Sequence, residues 1–393
     1  MPPRTHDCGI DAEPIYRYEP GGYHPVELGE TLNDGRYKVL HKLGWGGFST
    51  TWAAKDQKTN SYVAVKVKIS KDKDTRELDV LQALSALPKH HPGSSHINQL
   101  LDHFTIDGPN GFHECLVLEI TGPNIDDAAC SRLPATLVKV IAKQILQGLE
   151  FLAANDIAHG DLHTRNITLA VSDLSALSEA DFVARLGKVE TGPVTRLDGG
   201  PLEDNFPTQI IRPASFPTSD ILPENPSVKI IDLGQAFFGN NAPSTLHNPI
   251  AVRAPEIVFG DQLNVRVDLW SAGCLIFELV TGQPPFASMQ YPNSLVEQML
   301  QEIPDELPTR WQAKWQVMQE ELAKSRAKWP EDEGDEIFTL QEWLDECYDF
   351  HDREAGFTRK ELASLAEAIG SMLRFEPSLR ATVSEMLAHD LFR

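Results

Sequence analysis

The sequence is short of positive charge: 35 Lys and Arg stand against 57 Asp and Glu in 393 residues, a formal net of −22. A face that neutralises nucleic-acid phosphates needs the opposite balance, so no nucleic-acid partner is expected, whereas basic protein partners are compatible with it. Cysteine is also scarce. Cys8, Cys115, Cys130, Cys274 and Cys347 lie far apart with no Cys-x-x-Cys spacing, which points to a reduced, intracellular chain without a structural zinc site. No window reaches the run of about 18 uncharged apolar residues that spans a bilayer. The N-terminal Met-Pro-Pro-Arg-Thr-His-Asp carries no apolar signal region. No membrane association is expected, and a cytoplasmic and/or nuclear location is. Apolar residues at 41% and charged residues at 23% are ordinary for a globular chain of one large domain or two packed lobes.

Residues 1–35 are rich in Pro, Gly and Tyr, with Gly21-Gly22-Tyr23-His24-Pro25 as a turn cluster, and read as an extended lead-in. From Arg36 a strand pattern runs to Leu43, followed by Gly44-Trp45-Gly46-Gly47-Phe48-Ser49-Thr50-Thr51-Trp52 and a further strand, Tyr62–Val67. Glycines between two strands let backbone N–H groups approach a phosphate chain. No helix follows them directly, so a dinucleotide fingerprint fails its context. Lys66 lies in an alternating apolar run. It is either an outward-facing lysine on an edge strand or a buried one held by an acid. Glu77, on an expected helix with apolar spacing 78–81–84, is the candidate partner. Strands at 97–106 and 115–120 follow, and Gly122-Pro123 marks a hinge.

Beyond it the pattern turns helical, with Leu137, Val140, Ile141, Ile145, Leu149 and Leu152 forming one expected buried face. That helix delivers His159-Gly160-Asp161-Leu162-His163-Thr164-Arg165-Asn166. An aspartate followed five residues later by an asparagine suits phosphoryl transfer: the carboxylate orients or deprotonates a hydroxyl, and the asparagine oxygen reaches a metal. Residues 172–227, with seven prolines, read as a surface spacer, partly disordered. The strand Val228–Ile231 then presents Asp232 before Leu233-Gly234, which suits a metal-facing carboxylate and also ordinary turn chemistry.

Taken in order, these pieces resemble the protein-kinase signature set from about Arg36 to Phe392. Gly44, Gly46 and Ser49 match the glycine-rich loop, Val63-Ala64-Val65-Lys66 the lysine strand, and Glu77 the helix glutamate. His159-Gly160-Asp161…Asn166 matches the catalytic loop, Asp232-Leu233-Gly234 the metal-binding triplet, and Ala254-Pro255-Glu256 the segment after the activation loop. Asp268–Gly273 and Arg380 match two further conserved-type positions of that pattern. The resemblance implies an α+β, bilobal protein-kinase-like fold, with a β-rich N-lobe over 36–121 and a mainly helical C-lobe over 122–393. It implies ATP and Mg2+ as cofactors, with Asp161, Lys66, Glu77 and His163 catalytic and Asn166 and Asp232 holding the metal. ATP contacts carry over to Leu43, Gly44, Trp45, Gly46, Gly47, Phe48, Ser49, Thr50, Thr51, Ala64, Lys66, Glu119, Thr121 and Thr168.

Within kinases the chain is similar to the SR-protein kinases of the CMGC group. Gly21–Val26, Leu43–Trp52, the Leu in Asp232-Leu233-Gly234, the spacer and an extra segment near 304–358 carry that likeness. It implies a monomeric Ser/Thr kinase acting on basic or Arg/Ser-rich proteins. Between Glu331 and Glu354 eleven acids face one arginine, Arg353, a composition that steers basic peptides or simply makes a solvated acidic helix.

Three departures bear on activity. His163 replaces the usual lysine near the transferred phosphate, and histidine, unlike lysine, titrates near neutral pH. Thr51 and Thr168 replace apolar side chains expected around adenine. Gly160 replaces the arginine that pairs with a phosphorylated activation loop, which predicts constitutive activity. The alternatives are a pseudokinase scaffold with weak nucleotide binding and, further off, a small-molecule phosphotransferase, whose loop style His-Gly-Asp-Leu-His-x-x-Asn shares.

Overall fold

The computed structural model describes residues 5–128, 133–171, 174, 176–215, 225–286, 292–328, 338–348 and 356–393. The chain divides into two compact units. One comprises Met1–Ala86, Asn98–Pro123 and Ala170–Ile221; the other comprises Leu87–Ile97, Asn124–Leu169 and Leu222–Arg393.

The first unit is built on an antiparallel sheet of β1 (Thr31–Leu32), β2 (Tyr37–Gly46), β3 (Ser49–Asp56), β4 (Ser61–Lys68), β5 (Leu100–Gly108) and β6 (Gly111–Glu119), in the order β1-β2-β3-β4-β6-β5. Helix α1 spans Arg76–Ala86. Alternation in β4 sends Val63, Val65 and Val67 into one core with Val39, Trp52, Ala54, Cys115 and Val117. Ala64 and Lys66 therefore fall on the opposite face. Because β4 is flanked by β3 and β6, Lys66 is not on an edge strand.

Two expectations are corrected in this unit. Residues 1–35 are not merely an extended lead-in: Tyr18 and Tyr23 are fully buried with Ile69, Val194 and Ile210, and His6–Asp7 pairs with Thr195–Arg196. The spacer, assigned above to the C-terminal part, belongs up to Ile221 with the first unit. Its helix Glu179–Arg185 stacks Phe182 on Tyr62 at 3.8 Å between ring centroids. Its strands Thr191–Pro193 and Gln209–Ile211 pair antiparallel. The reason is hydrophobic: Phe182, Leu186, Val194, Ile210 and Ile211 bury apolar area that a solvated loop would leave in water.

The second unit is mainly helical. Helix α2 (Ala135–Ala154) buries Val138, Ile141, Ala142, Ile145, Leu149 and Leu152; four of the six expected residues are thus on the buried face, while Leu137 and Val140, near its start, are only half-buried. Helix α3 (Val267–Thr281) is buried almost throughout, which its near-continuous apolar composition requires. The short strand pairings Ile157–Ala158 with Phe237–Phe238 and Ile167–Leu169 with Val228–Ile230 fix the two loops that matter below. Most of the acidic stretch 331–354 lies outside the described residues.

Candidate active site

In the first unit β2 and β3 turn at Gly47-Phe48, with Gly46 opposite Ser49, Trp45 opposite Thr50 and Gly44 opposite Thr51. Trp45 and Phe48 are exposed, and a side-chain carbon added at Gly44 or Gly46 would meet nothing within 4 Å. The turn is an open run of backbone. Thr50 points the other way: it is buried and accepts a hydrogen bond from Trp52 Nε1 at 3.0 Å. Thr51 pairs with Lys66 across β3 and β4, and Ala64 with Leu118 across β4 and β6. Lys66 Nζ donates to Glu77 Oε1 at 2.5 Å. Both side chains are largely buried, at 12% and 5% exposure, so the acid offsets the cost of removing the ammonium from water. Glu119 ends β6 and Thr121 follows it; Glu119 Oε2 accepts from the Gln99 backbone at 3.3 Å. Leu43 packs against the buried cluster of Ala53, Tyr62, Phe182 and Leu186.

In the second unit, the loop after α2 is held by one carboxylate. Asp268, the second residue of α3, accepts from the His159 N–H at 2.6 Å and the Gly160 N–H at 2.9 Å. Burial pushes the Asp268 carboxyl up, while His159 and these two donors pull it down. His159 is fully buried. Its Nδ1 accepts from the Asp161 N–H at 3.2 Å, so the ring proton lies on Nε2, which donates to Ile231 O at 2.9 Å. One histidine thus ties the Asp161 loop to the strand that carries Asp232. Gly160 has φ +77°, and a Cβ there would lie 2.5 Å from Gln235 O. Only glycine fits this backbone without displacement.

Asn166 closes the loop. Its amide nitrogen donates to Asp161 O at 2.8 Å and to Asp161 Oδ2 at 3.3 Å. Asp161 Oδ1 is buried and makes no hydrogen bond among the described residues. The Asn166 backbone oxygen accepts from Ile231 N at 2.9 Å, which brings Asp232 beside it. Asp232 adopts the left-handed conformation, φ 60° and ψ 75°, and its carboxylate caps Gly234 N at 3.3 Å. Asn166 and Asp232 offer a neutral and an anionic oxygen. That is a donor set for Mg2+, which is held by few protein oxygens and completes its shell with phosphate and water. Thr168 is buried, and its hydroxyl donates to Lys229 O at 3.4 Å; the partner its hydroxyl requires is backbone.

His163 Nε2 lies 3.7 Å from Asp161 Oδ1, and Arg165 pairs with Asp126 at 3.0 Å. Thr164 donates to Glu278 at 3.2 Å, and burial pushes the Glu278 carboxyl up. Farther along, Arg380 donates to both oxygens of Glu256 at 2.7 Å, with both side chains buried.

The family model described as the protein kinase domain matches residues 37–185 and 218–392. The chain belongs to the protein kinase family. Serine/threonine-protein kinase SRPK of Physarum polycephalum is 29% identical over 95% of this chain and 89% of its own length. Protein kinase dsk1 of Schizosaccharomyces pombe is 29% identical over 67% of this chain and 64% of its own. SRSF protein kinase 3 of Homo sapiens is 40% identical over 40% of this chain and 29% of its own. The chain thus spans most of the first relative and less than two thirds of the other two. A crystal structure of a kinase domain, at 21% identity, aligns with a TM-score of 0.62 over 94% of this chain and 99% of that one, which bears out the α+β kinase fold. Within the family the chain is of the SR-protein-kinase type, a serine/threonine-protein kinase. Protein kinases in general use ATP with a divalent metal. No helix among the described residues is long and apolar enough to cross a membrane.

Two features of this site escaped the reading of the sequence. Asp268 and His159 were recognisable as parts of motifs, but their work on the loop backbone has no local signal. Arg17 and Tyr23, which contact the glycine turn, lie in a segment read as a lead-in.

Proposed function

We propose that the chain transfers the γ-phosphoryl group of ATP to a Ser or Thr hydroxyl of a basic, Arg/Ser-rich protein, and does so without activation-loop phosphorylation. The observation that carries the reading is the Asp161 carboxylate: Oδ2 is held by Asn166, while Oδ1 is buried and makes no hydrogen bond among the described residues, its nearest facing nitrogen, His163 Nε2, lying 3.7 Å away. Such an oxygen is costly unless a ligand satisfies it, and a substrate hydroxyl is a suitable donor.

In this mechanism the glycine turn from Leu43 to Thr51 lies over the phosphates. Lys66, steadied by Glu77, binds phosphate oxygens, while Ala64, Glu119, Thr121 and Thr168 contact the rest of the nucleotide. Asn166 Oδ1 and the Asp232 carboxylate would hold Mg2+, which when bound would neutralise charge on the phosphates. Asp161 Oδ1 accepts the hydroxyl proton as the new oxygen–phosphorus bond forms and the bond to the β–γ bridging oxygen breaks, leaving ADP. Interactions of this kind act by positioning and charge rather than by covalent chemistry.

Basic substrates are supported by the net charge of −22 and by the acids of 331–354. Of these, Glu342, Asp345 and Glu346 lie on the described helix Leu340–Cys347. Glu342 is occupied in capping Thr339 and Asp345 accepts from Gln341 Nε2 at 2.8 Å, while Glu346 is exposed; the charge of Asp345 and Glu346 is what docking would use. Independence from activation-loop phosphorylation is supported by Gly160, whose conformation and neighbours exclude a phosphate-pairing arginine. The four described cysteines are free, which fits a reducing compartment, cytoplasmic or nuclear.

The test compares turnover of an Arg/Ser-repeat peptide with that of a generic basic protein, before and after phosphatase treatment of the enzyme. The repeat peptide should be preferred and phosphatase should change nothing. Equal turnover of the two, or collapse after phosphatase, contradicts the corresponding half of the proposal. Reversing the charge of Asp345 and Glu346 should weaken the peptide preference.

A further inference from the structure

The turn that bends over the phosphates is not left to its own glycines. Tyr23 donates its hydroxyl proton to Gly46 O at 2.7 Å, Arg17 Nη2 donates to Gly47 O, and Ile69 N donates to Phe48 O at 2.9 Å. Three successive carbonyls are thus held from within the first unit. The amides of Gly47 and Phe48, by contrast, make no hydrogen bond among the described residues. In a trans peptide unit the C=O and N–H point in opposite directions. Fixing the Gly46 carbonyl therefore aims the Gly47 N–H, and fixing the Gly47 carbonyl aims the Phe48 N–H.

We propose that Tyr23 and Arg17 are positioning residues for ATP: by holding the Gly46 and Gly47 carbonyls, they pre-set the Gly47 and Phe48 amides as phosphate donors. Two glycines in a turn lose more conformational freedom on ordering than any other pair, and the tethers remove that loss from the binding step. The charged donor on Gly47 O also polarises its peptide unit, which strengthens the Phe48 N–H as a donor.

The segment that carries the tethers is itself rigidly made. The Tyr23 N–H donates to Arg17 O at 3.0 Å, and a Cβ at Gly22 would lie 1.9 Å from that oxygen. Glycine at 22 is the condition for Arg17 and Tyr23 to approach the turn together, with the guanidinium 4.8 Å over the tyrosine ring. Gly21 O and Gly22 O accept from Lys71 N at 2.8 Å and Ser70 N at 3.2 Å, fixing the segment to the end of β4. Glu13 is buried between Tyr18, whose hydroxyl donates to it at 2.5 Å, and Lys42, one residue before Leu43. The segment is anchored on both sides of the turn it holds.

The proposal rests on the glycine turn being the phosphate site, and the experiment separates the two claims. The dissociation constants of ATP–Mg2+ and of adenosine are measured by calorimetry for the full chain, Tyr23→Phe, Arg17→Leu and Tyr62→Phe. Tyr23→Phe keeps the buried ring and deletes only the hydroxyl. Tyr62→Phe is the control, removing a tyrosine bond to a backbone oxygen, that of Leu177 at 2.9 Å. The expected result is ATP–Mg2+ affinity weakened about fivefold in Tyr23→Phe and Arg17→Leu, on the order of one hydrogen bond, with adenosine affinity unchanged and Tyr62→Phe like the wild type. Hydrogen exchange over residues 44–49 should also quicken in the first two variants. Unchanged ATP affinity in Tyr23→Phe, or equal weakening of adenosine, overturns the positioning role while leaving the phosphate site standing. A wild type that binds no ATP overturns the phosphate site and the proposal with it.

Discussion

His163 Nε2 faces Asp161 Oδ1 at 3.7 Å, while its Nδ1 accepts the Arg165 N–H at 3.2 Å. The accepting nitrogen carries no proton in this arrangement, so the proton lies on Nε2, toward the carboxylate. The resemblance to protein kinases puts this position near the transferred phosphoryl group, where a lysine would bring a permanent positive charge. We predict that His163→Lys raises kcat up to about tenfold, the effect of about 1.4 kcal/mol of extra transition-state stabilisation. His163→Ala should lower it. Steady-state kinetics on one peptide substrate decide the matter, and a His163→Lys variant slower than wild type contradicts the role assigned to this position.

The Glu256–Arg380 pair is a matter of stability rather than chemistry. Both oxygens of the carboxylate are engaged at 2.7 Å in a buried setting, and Arg380 also donates to the backbone oxygens of Arg374 and Arg266. Removing one partner leaves the other charge buried and unpaired. Arg380→Ala should destabilise the chain by about 3–5 kcal/mol in urea denaturation. Glu256→Gln added to Arg380→Ala should recover part of this loss.

Glu302, the last residue of the helix Pro292–Glu302, is 7% exposed, and its Oε2 makes no hydrogen bond among the described residues. Burial pushes its carboxyl up to about 8, against a smaller pull down from Gln298. The folded chain therefore keeps this proton over a range in which the unfolded chain has lost it. Its stabilising contribution is complete below the ordinary glutamate range, declines as pH rises toward about 8, and is gone above that. Glu302→Gln should flatten the fall in stability between pH 5 and pH 8.5, by on the order of a few kcal/mol. Chemical denaturation at the two pH values checks it. An unchanged slope would mean that Glu302 ionises freely in the folded chain.

The parts of the site that the sequence made legible are those written in short, fixed spacings. Asp161 and Asn166 lie five apart in one loop. Lys66 and Glu77 are a strand residue and a helix residue eleven apart, and Asp232 ends an apolar strand. What the sequence hid lies in contacts between distant segments. Tyr62 stacks on Phe182, and that contact, with no periodicity to announce it, makes the spacer part of the first unit. Tyr23 reaches Gly46 through a hydroxyl, a single hydrogen bond invisible to hydrophobic patterning. Thr50 alternates into the core against Trp52, although glycines nearby suggested a continuous ligand-facing run. On α2 the 3.6-residue pattern placed Ile141, Ile145, Leu149 and Leu152 on the buried face, and it failed only at the start of the helix, where Val138 is buried while Leu137 and Val140 are half-buried.

The most direct measurement of the central claim is phosphate transfer from labelled ATP to an Arg/Ser-repeat peptide by the purified chain, with Asp161→Ala measured in parallel. The account predicts Mg2+-dependent incorporation into serine by the wild type. In the variant it should fall by about 10²–10⁴-fold, the range for losing a positioned acid–base group, with ATP still bound. A wild type that transfers no more phosphate than Asp161→Ala would contradict it.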